Sequence, residues 1–344
     1  MRVVGSIPGR ILLAVLLLLP IAAGWLWNRV HTPLPGVTAT SLVEVRPGAA
    51  ASTVAAHLGE RGLIDSPRLF SVWARLNGVA GLLQAGEYEL LPGQSMSDVL
   101  DMLVAGRVKL HGFTIVEGWT WRDVRDAMAA SDVIRTTADF TSAADMAGYL
   151  AGGLQHAEGR LFPDTYAVTR GVGDVEVLRQ AADLMAVRLQ AAWEGRADNL
   201  PLESPQQLLT LASIVERETS LDRERAQVAG VFIRRLRLNM RLQTDPTVIY
   251  GLGANFDGNL TRRDLRTDTP YNTYTRGGLP PTPIAMPGQA SLQAAARPAE
   301  GSALYFVAAP ELDGSHVFSD TLEQHNAAVA KYVAAYRRAQ RREQ

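Results

Sequence analysis

An uncharged and almost wholly apolar run, ILLAVLLLLPIAAGWLW at residues 11–27, most constrains the architecture of this chain. A run of this length is close to the shortest helix that can span a bilayer. Arg2 and Arg10 precede it and tryptophans close it, which favours a retained membrane anchor with a cytoplasmic amino terminus. A cleaved signal peptide is the alternative interpretation, because PIAAG supplies small residues near the end of the run. Both interpretations place the remaining residues outside the cytoplasm.

The composition of the 344 residues, 47% hydrophobic and 20% charged, is that of a globular protein large enough for two modest domains. The 34 basic and 35 acidic residues leave a formal net charge of −1, so charge gives no reason to expect a nucleic-acid partner. No cysteine is present, which excludes thiol nucleophiles, disulfides and cysteine-ligated metals. The six histidines lack HExxH or another ligand spacing, so neither a metal nor a cofactor is expected, and a metal site made of carboxylates alone is the alternative.

Changes in sequence pattern divide the chain into a tail, the apolar run, a linker, a small module and a larger domain. The module twice repeats a strand, a Pro-Gly turn and a helix, a plan similar to LysM-type modules that bind N-acetylated glycans. A positioning role without a ligand is an equal alternative. The larger domain alternates helices with turn-rich stretches and a few strands, so the predicted fold class is α+β. The predicted segments are a cytoplasmic tail at 1–10, a transmembrane helix at 11–27, a linker at 28–40, the LysM-like module at 41–108 and the second domain at 109–344.

The apolar helix within LLTLASIVERE carries an acidic residue on its buried face. Glu218 follows Ile214 by four residues and Val215 by three, so it lies over the apolar stripe, whereas Glu216 falls at its edge. Burial and the negative end of the helix dipole both disfavour a charge there, so we expect a raised pKa for Glu218, as a general acid requires. The alternatives are a Glu218 paired with an arginine such as Arg225, or a helix that ends earlier and lets the carboxylate face water.

Several stretches around this helix resemble the MltG (YceG-like) family of endolytic murein transglycosylases. They are LASIVERETS, AQVAGVFIRRLRLNMRLQTDPTVIYG, TPYNTYTRGGLPPTPIAMPG and LYFV…HVFSDTLEQHNAAV, of which MRLQTDPTVIYG is the most specific. The membrane helix, the LysM-like module and EGRLFPDTY occur in the family's order, so the resemblance covers nearly the whole chain. It implies that 109–344 is an α+β YceG-like catalytic domain.

The resemblance implies a carbon–oxygen lyase acting on polysaccharides. Such an enzyme cuts peptidoglycan between N-acetylmuramic acid and N-acetylglucosamine without water, leaves 1,6-anhydromuramoyl ends and so terminates glycan elongation. Glu218 would be the general acid/base, and the second carboxylate usual in glycoside hydrolysis would not be needed. The implied partners are glycan strands and peptidoglycan synthases (penicillin-binding proteins), and the implied location is the periplasmic side of the inner membrane.

The candidate substrate-binding residues fall into four groups by the contact or role expected of each. Thr219 takes the place of the serine in the Glu-Ser pair of other lytic transglycosylases. Hydrogen bonds to N-acetyl groups and hydroxyls are expected from Gln243, Thr244, Asn272 and Tyr274, and aromatic faces for sugar rings from Phe162, Tyr166, Tyr271 and Tyr274. Asp245 and Asp164 are ambiguous between positioning the substrate and capping a turn.

Two other functions stay open from the residues alone. One is an inverting muramidase that uses Glu218 with Asp245 or Asp164 as a second carboxylate. The other is a non-catalytic, glycan-binding scaffold of wall synthesis, in which the module at 41–108 carries the function.

Overall fold

The computed structural model describes residues 7–138, 143–148 and 156–343, with side chains from 16 to 341 apart from 143 and 147. Helices predominate, and each sheet in the described part of the chain has two strands, which is a mixed α+β architecture as predicted. The chain divides into two compact units, Met1–His111 with Ala167–Gly171, and Gly112–Tyr166 with Val172–Gln344. The limits predicted for the five segments stay predictions.

The first helix, α1, runs over Ile7–His31. Of the predicted membrane helix at 11–27, residues 11–15 lie outside the residues whose side chains are described, as does the predicted tail at 1–10. Among the helices with described side chains, none combines the length and the apolar character needed to cross a membrane. Val30, near the end of α1, is fully buried in the core of the first unit. The carboxyl end of α1 therefore packs as part of that unit.

The first unit has the repeated strand, turn and helix that the sequence predicts. Its two strands pair antiparallel, with Val43 opposite Tyr88, and both of these side chains are buried. Ser66 caps one helix, and Ser95 forms a capping box with Asp98 at the start of another, so local sequence sets where these helices begin. The elements are β1 (Ser41–Val45), α2 (Ala51–Glu60), α3 (Pro67–Leu76), β2 (Gly86–Leu90) and α4 (Met96–Val104).

The second unit is mainly helical, and the remaining strands in the described part of the chain form short pairs. Strand β3 pairs with β5, β4 pairs with β6 in parallel, and β7 and β8 form an antiparallel pair. The strands are β3 (Leu110–Thr114), β4 (Ile134–Arg135), β5 (Thr165–Thr169), β6 (Val172–Gly173), β7 (Tyr305–Ala308) and β8 (His316–Ser319). The helices are α5 (Trp121–Ala129), α6 (Ala143–Ala147), α7 (Asp174–Glu194), α8 (Pro205–Glu218), α9 (Asp222–Arg237), α10 (Asp245–Leu252), α11 (Gln289–Ala296) and α12 (Leu322–Glu343).

Helix α8 forms the centre of the second unit. It packs against α7, α9, α10 and α11, and every residue from 208 to 215 is buried. The sequence predicts burial of one face, but the structure also buries Thr210 and Ser213. Their hydroxyls donate to the carbonyls of Gln206 and Thr210, at 3.0 and 2.7 Å, so neither polar group is left unpaired.

Helix α9 approaches the segment that leads into β7 very closely at Gly230. A Cβ atom at Gly230 would lie 2.5 Å from the carbonyl oxygen of Ala299. Next along α9, Arg234 donates to the same carbonyl at 3.0 Å, and Arg235 donates to the carbonyl of Leu304 at 2.6 Å. The missing side chain at Gly230 therefore allows the hydrogen bonds that fix the start of β7 against α9.

We expect Gly230→Ala to destabilise the protein, although alanine favours a helix by about 1 kcal/mol over glycine. Overpacking against a backbone carbonyl costs about 1–3 kcal/mol, so after the gain in helix propensity the net loss should be up to about 2 kcal/mol. Urea unfolding measures the difference, with Gly81→Ala as control because no heavy atom lies within 4 Å of a Cβ there. A Gly230→Ala variant as stable as the wild type would contradict this packing.

Candidate active site

The carboxyl end of α8 opens into a cavity of about 360 Å³. Glu218 is the last residue of α8, and the chain turns to an extended conformation at Thr219. The cavity is lined by Glu218, Arg235, Leu242, Gln243, Asp245, Tyr274, Tyr305, Phe306, Leu322 and His325. Among the described residues, no group of three or more histidine or acidic side chains is placed to hold a metal ion.

The carboxyl of Glu218 resists ionisation. Burial, the largest influence, raises its pKa from the ordinary 4.5 to about 7, and the negative charge of Asp245 adds to the rise. A hydrogen bond from the Thr244 hydroxyl and the positive charge of Arg235 act in the opposite direction. The side chain is only partly buried because the cavity reaches it, but protein atoms still displace most of the water around its oxygens. Glu218 can therefore hold a proton near neutral pH and still be reached by a ligand.

Arg225 does not pair with Glu218, so that alternative is wrong. The guanidinium of Arg225 is buried and bonds Glu216 at 3.2 Å and also Asp222. The second oxygen of Glu216 accepts the backbone N–H of Gly288 at 2.9 Å. The position of Glu216 at the edge of the apolar stripe thus corresponds to a buried ion pair with Arg225, and that pair does not include Glu218.

The QTDPT and YNTY stretches meet beside Glu218. Thr244 is buried, its hydroxyl donates to Glu218 Oε1, and its backbone N–H donates to the Thr273 hydroxyl at 3.1 Å. The backbone N–H of Gln243 donates to the Thr273 carbonyl at 3.2 Å. Gln243 adopts a left-handed backbone conformation with φ 52°. This turn positions the Thr244 hydroxyl against the carboxyl, so the two stretches form one wall of the cavity.

Asp245 and Tyr274 form a hydrogen-bonded pair in the same cavity. The Tyr274 hydroxyl donates to Asp245 Oδ1 at 2.6 Å. Burial, and then the neighbouring Asp245, raise the pKa of Tyr274, so the phenol keeps its proton. Asp245 occupies the first position of α10, where the helix dipole favours a negative charge. The observed bond of its carboxylate is thus to Tyr274, and a role in binding substrate stays a prediction.

Asn272 and Thr219 lie near this wall, but their side chains are engaged in holding loops. Asn272 is fully buried, and its Oδ1 accepts the backbone N–H of Tyr274 at 2.9 Å. The Thr219 hydroxyl accepts the backbone N–H of Leu221 at 3.1 Å. The Asn272 amide donates to the carbonyls of Asp264, Leu265 and Thr267, at 3.1, 3.2 and 2.7 Å. These bonds position Tyr274 and the end of α8, and direct contact with a ligand stays a prediction for both residues.

Four other predicted residues do not line the cavity of Glu218. Phe162 packs in the hydrophobic core, and the buried Tyr166 donates its hydroxyl to the Phe162 carbonyl at 2.6 Å. Asp164 is exposed, and its Oδ1 accepts the N–H of the next residue at 2.7 Å. Tyr271 lines a different cavity of about 490 Å³. The structure therefore does not bring these side chains together with Glu218.

Six residues that complete the cavity are not among those that the sequence predicts for the site: Arg235, Leu242, Tyr305, Phe306, Leu322 and His325. Arg235 is buried, donates to the Leu242 carbonyl at 2.9 Å and places its guanidinium carbon 5.0 Å from the centre of the Tyr305 ring. Nothing in an RR pair on a helix distinguishes a buried arginine from a solvated one. The motif LYFV…HVFSDTLEQHNAAV, in contrast, contains Tyr305 and His325 and was the available signal.

A second buried acid, Glu158 in EGRLFPDTY, was also missed. Burial is the largest influence on it and raises its pKa to about 7. Its two oxygens accept the backbone N–H of Trp121 at 3.0 and 3.2 Å, and one of them accepts the Tyr250 hydroxyl at 3.0 Å. Glu218 has one hydrogen-bond partner among the described residues, Thr244, on one oxygen. Of the two acids, Glu218 therefore has an oxygen left for a substrate, whereas Glu158 links α5 to α10.

We expect Glu158→Gln to change how stability depends on pH. The pKa of Glu158 in the folded protein, about 7, exceeds its ordinary 4.5. The stability that protonated Glu158 contributes is therefore complete below pH 4.5 and is lost as the pH rises to about 7. That loss is on the order of 3 kcal/mol in the wild type and is absent in the variant. Urea unfolding at pH 4.5, 6 and 8 measures it, with the exposed Glu300→Gln as control. Parallel pH curves for wild type and Glu158→Gln would rule out a buried, protonated Glu158.

Comparisons with known proteins agree on one family. The model of the YceG-like family matches residues 43–331. The endolytic murein transglycosylase of Bacillus subtilis (strain 168) is 30% identical over 310 residues, which cover 85% of each chain. That of Streptococcus pneumoniae serotype 2 (strain D39) is 26% identical over 324 residues, and the match spans 85% of this chain and 58% of the relative. A crystal structure of a yceG-like protein from Listeria monocytogenes is 31% identical with a TM-score of 0.53, covering 84% of this chain and 98% of that one. The chain therefore belongs to the YceG-like family.

Proposed function

We propose that this protein is an endolytic peptidoglycan transglycosylase with Glu218 as its general acid/base. The observation that carries the proposal is a carboxyl with a pKa near 7 that lines an open cavity and has one oxygen without a protein partner. A general acid works best when its pKa lies near the working pH. The names of the two relatives support the same activity.

In the first step, protonated Glu218 donates its proton to the oxygen between N-acetylmuramic acid and N-acetylglucosamine. The bond from C1 of muramic acid to that oxygen breaks, and N-acetylglucosamine leaves with the oxygen and the proton. The Thr244 hydroxyl holds Oε1 and orients the carboxyl, so the proton is on Oε2 in this account. Positive charge develops on the sugar as the bond breaks, and the carboxylate of Asp245 in the same cavity stabilises it.

In the second step, the Glu218 carboxylate takes the proton of the C6 hydroxyl of muramic acid, and O6 attacks C1. The product is the 1,6-anhydro sugar, and Glu218 regains the proton that it gave. Proton and atom balance both close without water. The positive charge of Arg235 stabilises the carboxylate between the two steps, and burial favours its return to the protonated form.

An inverting muramidase that uses Glu218 and Asp245 is the second candidate, because both carboxylates line one cavity. Asp245 would then activate a water molecule, but its Oδ1 already accepts the Tyr274 hydroxyl. Asp164 gains no support for this role, because it is exposed and does not line the cavity. The two candidates differ in their products, which are anhydro ends for the transglycosylase and reducing ends for the muramidase.

We also propose that residues 11–27 anchor the protein in the inner membrane, with the chain from residue 28 onwards on the periplasmic side. The uncharged run, the arginines before it and the tryptophans at its end support this location. Residues 41–108 would then act as a LysM-like module that positions nascent glycan strands. Peptidoglycan synthases are the partners that supply such strands.

We expect wild-type protein that lacks the apolar run and begins at residue 28, incubated with peptidoglycan in H₂¹⁸O, to release products with anhydro ends and no ¹⁸O. Glu218→Gln cannot donate the proton, so its rate should fall by about 10²–10⁴-fold while its circular dichroism is unchanged. Asp245→Asn should keep the anhydro product at a reduced rate in our account, but would be inactive in a muramidase. Mass spectrometry of the products decides, and reducing ends that carry ¹⁸O would refute the transglycosylase.

A further inference from the structure

Strand β7 and the first turn of α12 supply part of the lining of the Glu218 cavity. Tyr305 from β7 and His325 from α12 are among the lining residues. Their rings stack, with centroids 5.3 Å apart and an interplanar angle of 24°. Stacking restricts rotation of the imidazole, so the two ring nitrogens of His325 have defined surroundings.

The two nitrogens of His325 differ in their environment. Nδ1 is buried and has no hydrogen-bond partner among the described residues. Nε2 also makes no hydrogen bond to a described group. Unlike Nδ1 it is not buried, so it keeps contact with solvent. Of the two nitrogens, Nε2 is therefore the one open to contact from outside the protein, and its residue lines the Glu218 cavity.

The proton of His325 belongs on Nε2. A buried N–H without an acceptor is rarer in proteins, and more costly, than a lone pair without a donor. Burial and the nearby charge of Arg235 lower the pKa of His325, so the ring is neutral near pH 7 and carries one proton. With Nδ1 unprotonated, Nε2–H is a hydrogen-bond donor without an acceptor in the described protein.

The other polar groups of the cavity leave this donor unused. Tyr274 donates to Asp245, and Thr244 donates to Glu218, so these pairs are formed within the protein. An N-acetylated sugar brings amide carbonyl oxygens, which are its strongest neutral acceptors. We propose that His325 binds substrate by donating Nε2–H to the carbonyl oxygen of an N-acetyl group of the sugar bound beside Glu218. This inference rests on the proposed function for the identity of the ligand.

The test measures binding rather than cleavage, in a Glu218→Gln protein that does not consume the strand. His325→Phe keeps a ring to stack on Tyr305 but removes the N–H, whereas His325→Gln places an amide N–H near the position of Nε2. Calorimetry with uncrosslinked, N-acetylated glycan strands should show about tenfold weaker binding for the phenylalanine variant, the effect of one hydrogen bond, and at most about threefold for the glutamine variant. Asn326→Ala, exposed on the same helix and outside the cavity lining, is the control.

A second arm identifies the acceptor. On strands from which the N-acetyl groups have been removed, His325→Phe should bind as its parent does, because the carbonyl is missing in both cases. Two results with acetylated strands overturn the inference and assign His325 to stacking. One is equal binding by the parent and His325→Phe, and the other is weaker binding by His325→Gln alone. Absence of strand binding in the parent overturns it as well. Reducing ends in the cleavage assay refute the transglycosylase alone, since the contact with His325 is measured independently of the bond that is cut.

Discussion

The chemistry proposed for this protein depends on a helix whose central turns are buried on every side and which ends in a carboxyl group. Eight consecutive buried residues, 208–215, commit α8 to the centre of the second unit, so its last residue, Glu218, emerges where little water surrounds it. Desolvation then favours the protonated acid. The cavity, the Thr244 hydroxyl and the Asp245–Tyr274 pair all surround that one proton. A polar or shorter α8 would leave an ordinary carboxylate in the same place.

A raised pKa alone does not define an active site, as the two buried acids show. Glu158 and Glu218 have the same pKa of about 7, for the same main reason. Both oxygens of Glu158 accept hydrogen bonds from the protein, and its protonation therefore governs stability. Glu218 keeps one oxygen without a protein partner beside a cavity. Because Glu158 also lines a cavity, of about 490 Å³, the two acids differ in their unused hydrogen-bonding capacity and not in access.

Features that depend on neighbouring residues could be predicted from the sequence. Helical periodicity located Glu218 on the buried face of α8, and the Ser66 cap follows from residues next to it. Partners from distant segments could not be predicted, because they depend on tertiary packing. The position of α9 in the fold brings Arg225 to Glu216. His325 reaches the cavity from a helix that lies more than a hundred residues further along the chain. Aromatic side chains expected to face sugars, Phe162 among them, are instead used to fill the core.

The most direct test of the central claim is the ionisation of Glu218 itself. Difference infrared spectroscopy between the wild type and Glu218→Gln isolates the carbonyl stretch of this carboxylic acid as pH is varied. We predict that Glu218 ionises with a midpoint near pH 7. The midpoint should be higher in Thr244→Val, because that change removes a hydrogen bond that favours the carboxylate. A midpoint at 4.5, the ordinary value for glutamic acid, would contradict it.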